Sequence, residues 1–118
     1  MSHLNEHGRL IAVDRDPDAI AVLQARFEKD ARVRVVHSTF DRITDILRGE
    51  RADGVLADLG VSSYQLDTPE RGFSFHKDAP LDMRMSKTGL SAADVVNTYS
   101  EAALRQILRA YGEEKYAA

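Results

Sequence analysis

Apolar positions along the chain repeat with two different periods, and each change of period marks an element. From Gly8, GRLIAVD is continuously apolar between Leu10 and Val13, which predicts a parallel strand covered on both faces. RDPDAI then opens a helix, with Asp16 at the N-cap and Pro17 at the first helical position. Ile20, Leu23 and Phe27 carry one apolar face through Lys29. RVRVV, from Arg32 to Val36, is rich in β-branched residues and reads as a second strand. Phe40, Ile43, Ile46 and Leu47 mark a second amphipathic helix, closed by Gly49. ADGVLAD, from Ala52 to Asp58, reads as a third strand.

Strand, helix, strand, helix, strand at these lengths predicts an α/β fold, a sheet of three parallel strands with crossover helices. Such sheets bind ligands at the carboxyl ends of their strands. Asp14, the stretch from His37 to Phe40, and Asp58 would therefore share one rim. After Asp58 the periodicity stops for roughly thirty residues, a length that in a compact domain points to function or disorder. Beyond it, Ser91 and Ser100 can cap two short helices. Leu104, Ile107, Leu108 and Tyr111 form an i, i+3, i+4, i+7 stripe on the second, which Gly112 ends. EEKYAA reads as the opening turn of a further helix and SHLNEHG as the tail of one, so the chain is expected to be cut at both ends. A sheet of these three strands alone would expose apolar edges or force non-neighbours together.

The 118 residues suit one ordinary domain, and 43% hydrophobic with 30% charged residues excludes a disordered composition. No apolar run has the length of a membrane span and no signal-peptide pattern is present, so a cytoplasmic location is expected. The net charge of −3 excludes a protein that grips nucleic acid with its whole surface, and leaves a local patch as the way to meet RNA.

Asp14, at the end of a buried strand, can accept the hydroxyls of a nucleotide ribose. The alternative is helix capping, a task Asp16 already fills. Phe40 starts a helical stripe, which favours core packing, and its place past a strand end also lets it stack on an adenine. Asp58 follows Val55, Leu56 and Ala57 into what should be a low-dielectric interior, where an unpaired carboxylate is costly. It either faces a ligand or accepts N–H groups from the turn after Gly60. Ser62 and Ser63 lack the flanking glycine of a nucleophile elbow. His3, His7, His37 and His76 have no metal-ligand spacing and read as surface or turn residues. Arg71 and Arg84 can meet phosphates or pair with Asp67, Asp78 or Asp82. A dinucleotide oxidoreductase would rest on Asp14 alone.

DLGVSSYQLDTPERGFSFHKDAPLDMRM, from Asp58 to Met85, closely resembles the signature segment of the ribosomal RNA small subunit methyltransferase H family. GRLIAVDRDPDAI before it and GLSAADVVNTYSEAALRQILRAYGEEKYA after it are also similar to that family, so the resemblance runs from Gly8 onward. It implies a partial Rossmann-like class I methyltransferase sheet, with S-adenosylmethionine as methyl donor. The product would be an N4-methylated cytidine in the decoding region of 16S rRNA, making the small ribosomal subunit the partner. By motif match, Asp14 resembles the cofactor's ribose ligand, and Phe40, Asp58 and Gln65 resemble further cofactor-binding positions. The catalytic residue is not identified. Residues 1–87 would be part of the cofactor-binding domain, with an active-site loop at 59–87, and 88–118 would begin a helical substrate-recognition insert. Tyr64 stands where the family commonly has Pro, and Ser86 where it has Asp. The family's first strand and glycine-rich cofactor loop are not in this sequence, which reads as an internal fragment. The alternative function is an inactive piece, or a remnant that binds RNA or a partner.

Overall fold

The structure, a computed structural model, describes residues 4–117. It resolves into two compact units, Met1–Leu59 and Gly60–Ala118. The first is built on strand β1 (Leu10–Asp14), helix α1 (Pro17–Phe27) and strand β2 (Val33–His37). The strands pair in parallel, Leu10 opposite Val33 and Asp14 opposite His37. As the sequence predicts, Asp16 caps α1: its side chain accepts from the Asp18 N–H at 3.0 Å. α1 packs against both strands and turns its predicted stripe inward, with Ile20 buried and Leu23 and Phe27 half-buried. At the entry to β2, Arg32 donates to the Asp30 carboxylate and to the carbonyls of Leu4 and Asn5. This ties the N-terminal stretch to the sheet. Leu4 to Arg9 hold a turn closed by Gly8 N–H to Asn5 O, 3.1 Å, rather than the tail of a helix. Ser2 and His3 lie outside the described residues.

The second predicted helix is shorter than its apolar stripe. Phe40–Arg42 form a 3-10 turn, and helix α2 covers Ile43–Leu47, ending at Arg48 in the left-handed region (φ 52). Ile46 is buried, and its carbonyl accepts the guanidinium of Arg34 from β2.

The third strand is not formed. Among the described residues the sheet has two strands, and the segment from Ala52 to Asp58 is unpaired and exposed. Val55 is 77% and Leu56 96% exposed. A strand exists only through its ladder, and an apolar run supplies the side chains for burial without supplying a partner backbone.

The second unit replaces the expected structureless loop with short hydrogen-bonded pieces. Helix α3 covers Ser63–Asp67 and a 3-10 turn covers Pro69–Arg71. Ser62 caps α3 through a reciprocal box: its hydroxyl accepts from Gln65 N–H (3.2 Å), and the Gln65 side-chain oxygen accepts from Ser62 N–H (2.9 Å). Gly72 (φ 69, ψ 20) then reverses the chain. A clasp follows, with Met83 N–H donating to Arg71 O (3.0 Å) and the buried Arg71 guanidinium donating to the carbonyls of Arg84 and Met85 (3.1 and 3.0 Å). The clasp also holds helix α4 (Ala92–Thr98). The N–H groups of Ala92 and Ala93 donate to Asp82 O and Leu81 O, both at 2.8 Å. Ser91 and Ser100 cap α4 and helix α5 (Glu101–Tyr111) as the sequence predicts. The Ser91 backbone N–H and hydroxyl, donating to Asp94, hold that carboxyl below its ordinary value. Gly112 ends α5, and residues 113–117 form no further helix. The α5 stripe is present but open, with Leu108 51% and Tyr111 86% exposed.

Candidate functional site

The carboxyl ends of β1 and β2 lie side by side, two of the three strand ends the sequence leads one to expect at the rim; the third, at Asp58, is not formed. Asp14 ends β1 half-buried, and its Oδ1 accepts from Asp16 N–H at 2.8 Å. This is an Asx turn, in which a side chain mimics the backbone of a reverse turn. The second carboxylate oxygen makes no bond among the described residues and remains an open acceptor. Capping of α1 falls to Asp16 rather than Asp14.

From β2, His37 stands opposite Asp14, and Ser38 N–H donates to the Asp14 carbonyl at 3.0 Å. Phe40 follows two residues later and is 69% exposed. Core packing, the first-ranked reading of its place in the helical stripe, is therefore not what this ring does here. The α2 stripe is served by Ile46 instead.

Asp58 departs from expectation. It is exposed, it sits on the unpaired segment, and it makes no hydrogen bond or ion pair among the described residues. The alternative of bonding to the turn after Gly60 is thus not realised. Neither is the low-dielectric setting, because the third strand that would create it is absent. Gln65 belongs to the second unit and is 4% exposed, its side-chain oxygen engaged with Ser62 N–H.

The two arginines weighed as phosphate ligands are occupied within the second unit. Arg84 forks onto Asp82, with Nε at 3.0 and 3.1 Å and a terminal nitrogen at 2.5 Å. These bonds, with that from the Arg84 backbone N–H, hold the Asp82 carboxyl down at about 2. Arg71 serves the two carbonyls already described and lies 5.9 Å from the Phe73 ring centroid.

Two groups escape the sequence reading. The His37 Nε2 lies 3.0 Å from the Arg15 carbonyl oxygen, a contact created only by strand register. The Ser62–Gln65 box is written in the sequence as S-x-x-Q, and that spacing could have found it. Among the described residues no group of three or more His, Cys, Asp or Glu is placed to hold a metal, and no helix is long and apolar enough to cross a membrane. His3 lies outside the described residues.

A parallel β-α-β unit with a carboxylate at the carboxyl end of its first strand places the chain among α/β proteins, a class in which ligands commonly bind at that rim. The chain belongs to the MraW methylase family, whose model matches residues 1–118. It is 50% identical over 121 residues to the ribosomal RNA small subunit methyltransferase H of Caldicellulosiruptor saccharolyticus, covering 99% of this chain and 39% of that protein. To the methyltransferase of the same name from Mycobacterium marinum it is 51% identical, covering 92% of this chain and 30% of that protein. To that of Frankia alni it is 55% identical, covering 92% of this chain and 35% of that protein. The chain thus spans 30 to 39% of the length of these relatives.

Proposed function

We propose that this chain carries part of the cofactor site of an S-adenosylmethionine-dependent methyltransferase acting on N4 of a cytidine in the decoding region of 16S rRNA, in the cytoplasm. The observation that carries the proposal is the acceptor at the rim: Asp14, one oxygen fixed by Asp16 N–H and the other open, with an exposed Phe40 past the end of the neighbouring strand. Membership in a methylase family and the names of its relatives support the reaction class and the RNA substrate.

The residues present fit an adenosine. The open Asp14 oxygen can accept ribose hydroxyls, and the Phe40 ring offers a face for adenine. Asp58 and Gln65 are proposed for the remaining cofactor contacts. On this reading residues 1–87 belong to the cofactor-binding domain, a Rossmann-like sheet in which 52–58 gains a strand partner, and 88–118 open a helical insert for RNA.

S-adenosylmethionine, when bound, supplies a methyl group made electrophilic by its sulfonium. The protein's share of the work is positional. The exocyclic amine of cytosine is a weak nucleophile because its lone pair is delocalised into the ring. It must be held in line, given an acceptor for the proton it loses, and kept in a pocket away from its stack. Asp58, exposed and without a partner among the described residues, is open to such a ligand.

The test is calorimetric titration of S-adenosylmethionine into the 118-residue chain and into Asp14→Ala. Micromolar binding by the first and loss of it in the second, with unchanged circular dichroism, is expected. A folded chain that gives no heat, or an Asp14→Ala variant that binds equally well, would overturn the site assignment. The exposure of 52–58 favours a second reading, that this piece binds RNA or a partner without catalysing. Absence of cofactor binding, together with retention of small-subunit RNA, is its signature.

A further inference from the structure

We infer that His37 is a positioning residue for the ribose end of the cofactor, setting the direction of the Asp14 carboxylate. The inference rests on the cofactor reading above and deepens it.

The turn after β1 is held from two sides. Along the chain, Asp14 Oδ1 takes the Asp16 N–H at 2.8 Å, and Asp16 Oδ1 takes the Asp18 N–H at 3.0 Å, which fixes the start of α1. Across the sheet, the end of β2 and the residue after it reach the same turn. Ser38 N–H donates to the Asp14 carbonyl, and the His37 Nε2 sits 3.0 Å from the carbonyl of Arg15, the residue between the two acids. A carbonyl oxygen only accepts, so Nε2 carries the hydrogen; the neutral ring is the Nε2–H tautomer.

The Asp14–Arg15 peptide is therefore bonded on its own carbonyl by one strand neighbour and on the next carbonyl by the other. Rotation of the Arg15 peptide would carry Asp16 N–H away from Asp14 Oδ1 and swing the carboxylate off the rim. The Arg15 carbonyl is the point at which β2 resists that rotation. Strand register, which sets His37 opposite Asp14, brings the ring to this carbonyl, one residue past the acid. The ring is exposed, so the bond competes with water and contributes a modest factor, roughly three- to tenfold in ligand affinity.

The experiment titrates S-adenosylmethionine and its 2′-deoxyribose analogue into the chain and into His37→Phe, His37→Gln and Asp14→Asn. It also reads the ring nitrogens of His37 by NMR without ligand. Expected are an Nε2–H tautomer, weaker binding of S-adenosylmethionine by His37→Phe in the range just given, and recovery in His37→Gln, whose amide can donate in the same place. The His37→Phe loss should shrink to about twofold or less with the deoxy analogue, because the ribose contact that Asp14 provides is then already weakened. An equal loss with both ligands would mean general loosening of the fold and would overturn the inference. So would wild-type affinity in His37→Phe while Asp14→Asn fails to bind, an outcome that leaves the cofactor reading standing. If no form binds, the cofactor reading falls and the inference falls with it.

Discussion

Replacing Gly72 by alanine should break the clasp of the second unit. The loss has two components that the structure separates. Gly72 has φ 69 and ψ 20, and holding a residue with a Cβ in the left-handed region costs about 1–2 kcal/mol. The added Cβ would also stand 2.4 Å from Pro80 O and 2.7 Å from Asp82 N. Both are backbone atoms that no rotamer change can move, and forced overpacking costs about 1–3 kcal/mol. Together these make about 2–5 kcal/mol, a large share of the ~5–15 kcal/mol that holds a domain. Gly89 is the control. It has φ 81, and a Cβ there meets nothing within 4 Å, so Gly89→Ala carries only the first component. Urea unfolding followed by circular dichroism should place Gly72→Ala below Gly89→Ala by the overpacking component, about 1–3 kcal/mol. Amide exchange should locate the damage at Met83, Ala92 and Ala93, whose N–H groups bond to Arg71, Asp82 and Leu81. Equal destabilisation by the two variants, or unchanged protection at those three amides, would refute the steric account.

Two further outcomes are expected in the same unit. Asp82 is held at about 2 against an ordinary 3.8; a depressed acid contributes fully above the unfolded value and loses its contribution as pH falls through the folded one. The urea midpoints of the wild type and Arg84→Gln should therefore converge as pH drops from about 4 to 2, and a constant gap would show that the pair contributes nothing specific. Ser62→Ala removes the hydroxyl that accepts Gln65 N–H and should cost about 1 kcal/mol, with faster exchange at the Gln65 amide. Ser63→Ala, one residue on, should do neither, and matching effects would discount the capping box.

The helices the sequence predicted best are those whose ends are written chemically. Asp16–Pro17 fixed the start of α1, and Ser91 and Ser100 fixed the starts of α4 and α5, because a cap acts within three or four residues. The stretch from Ala52 to Asp58 misled for the opposite reason. Its composition is that of a buried strand, but pairing depends on another backbone, and apolar content carries no information about whether one is present. Reading the following segment as structureless overlooked S-x-x-Q at Ser62 and Gln65 and the proline opening the turn at Pro69. At the rim, Asp14 and Phe40 could be placed from strand ends alone. His37 could not, since its contact with Arg15 follows from register between strands, which a linear pattern does not contain. Gln65 was read only as a ligand residue, and the structure adds a capping task for its side chain.

The clasp also has a kinetic consequence. Its side-chain bonds join Arg71 to carbonyls 13 and 14 positions away, and a loop of about ten residues closes in roughly 10–100 ns. The conformational entropy of closure rises only with the logarithm of loop length. The stretch without periodicity, which looks from the sequence like the part hardest to order, is therefore assembled from quick and local events. The slow step belongs to the regular part of the molecule, where Leu10 must find Val33 and Asp14 must find His37 across an intervening helix. During refolding of the whole chain, α3, the clasp and α4 can be in place while β1 and β2 are still searching for each other.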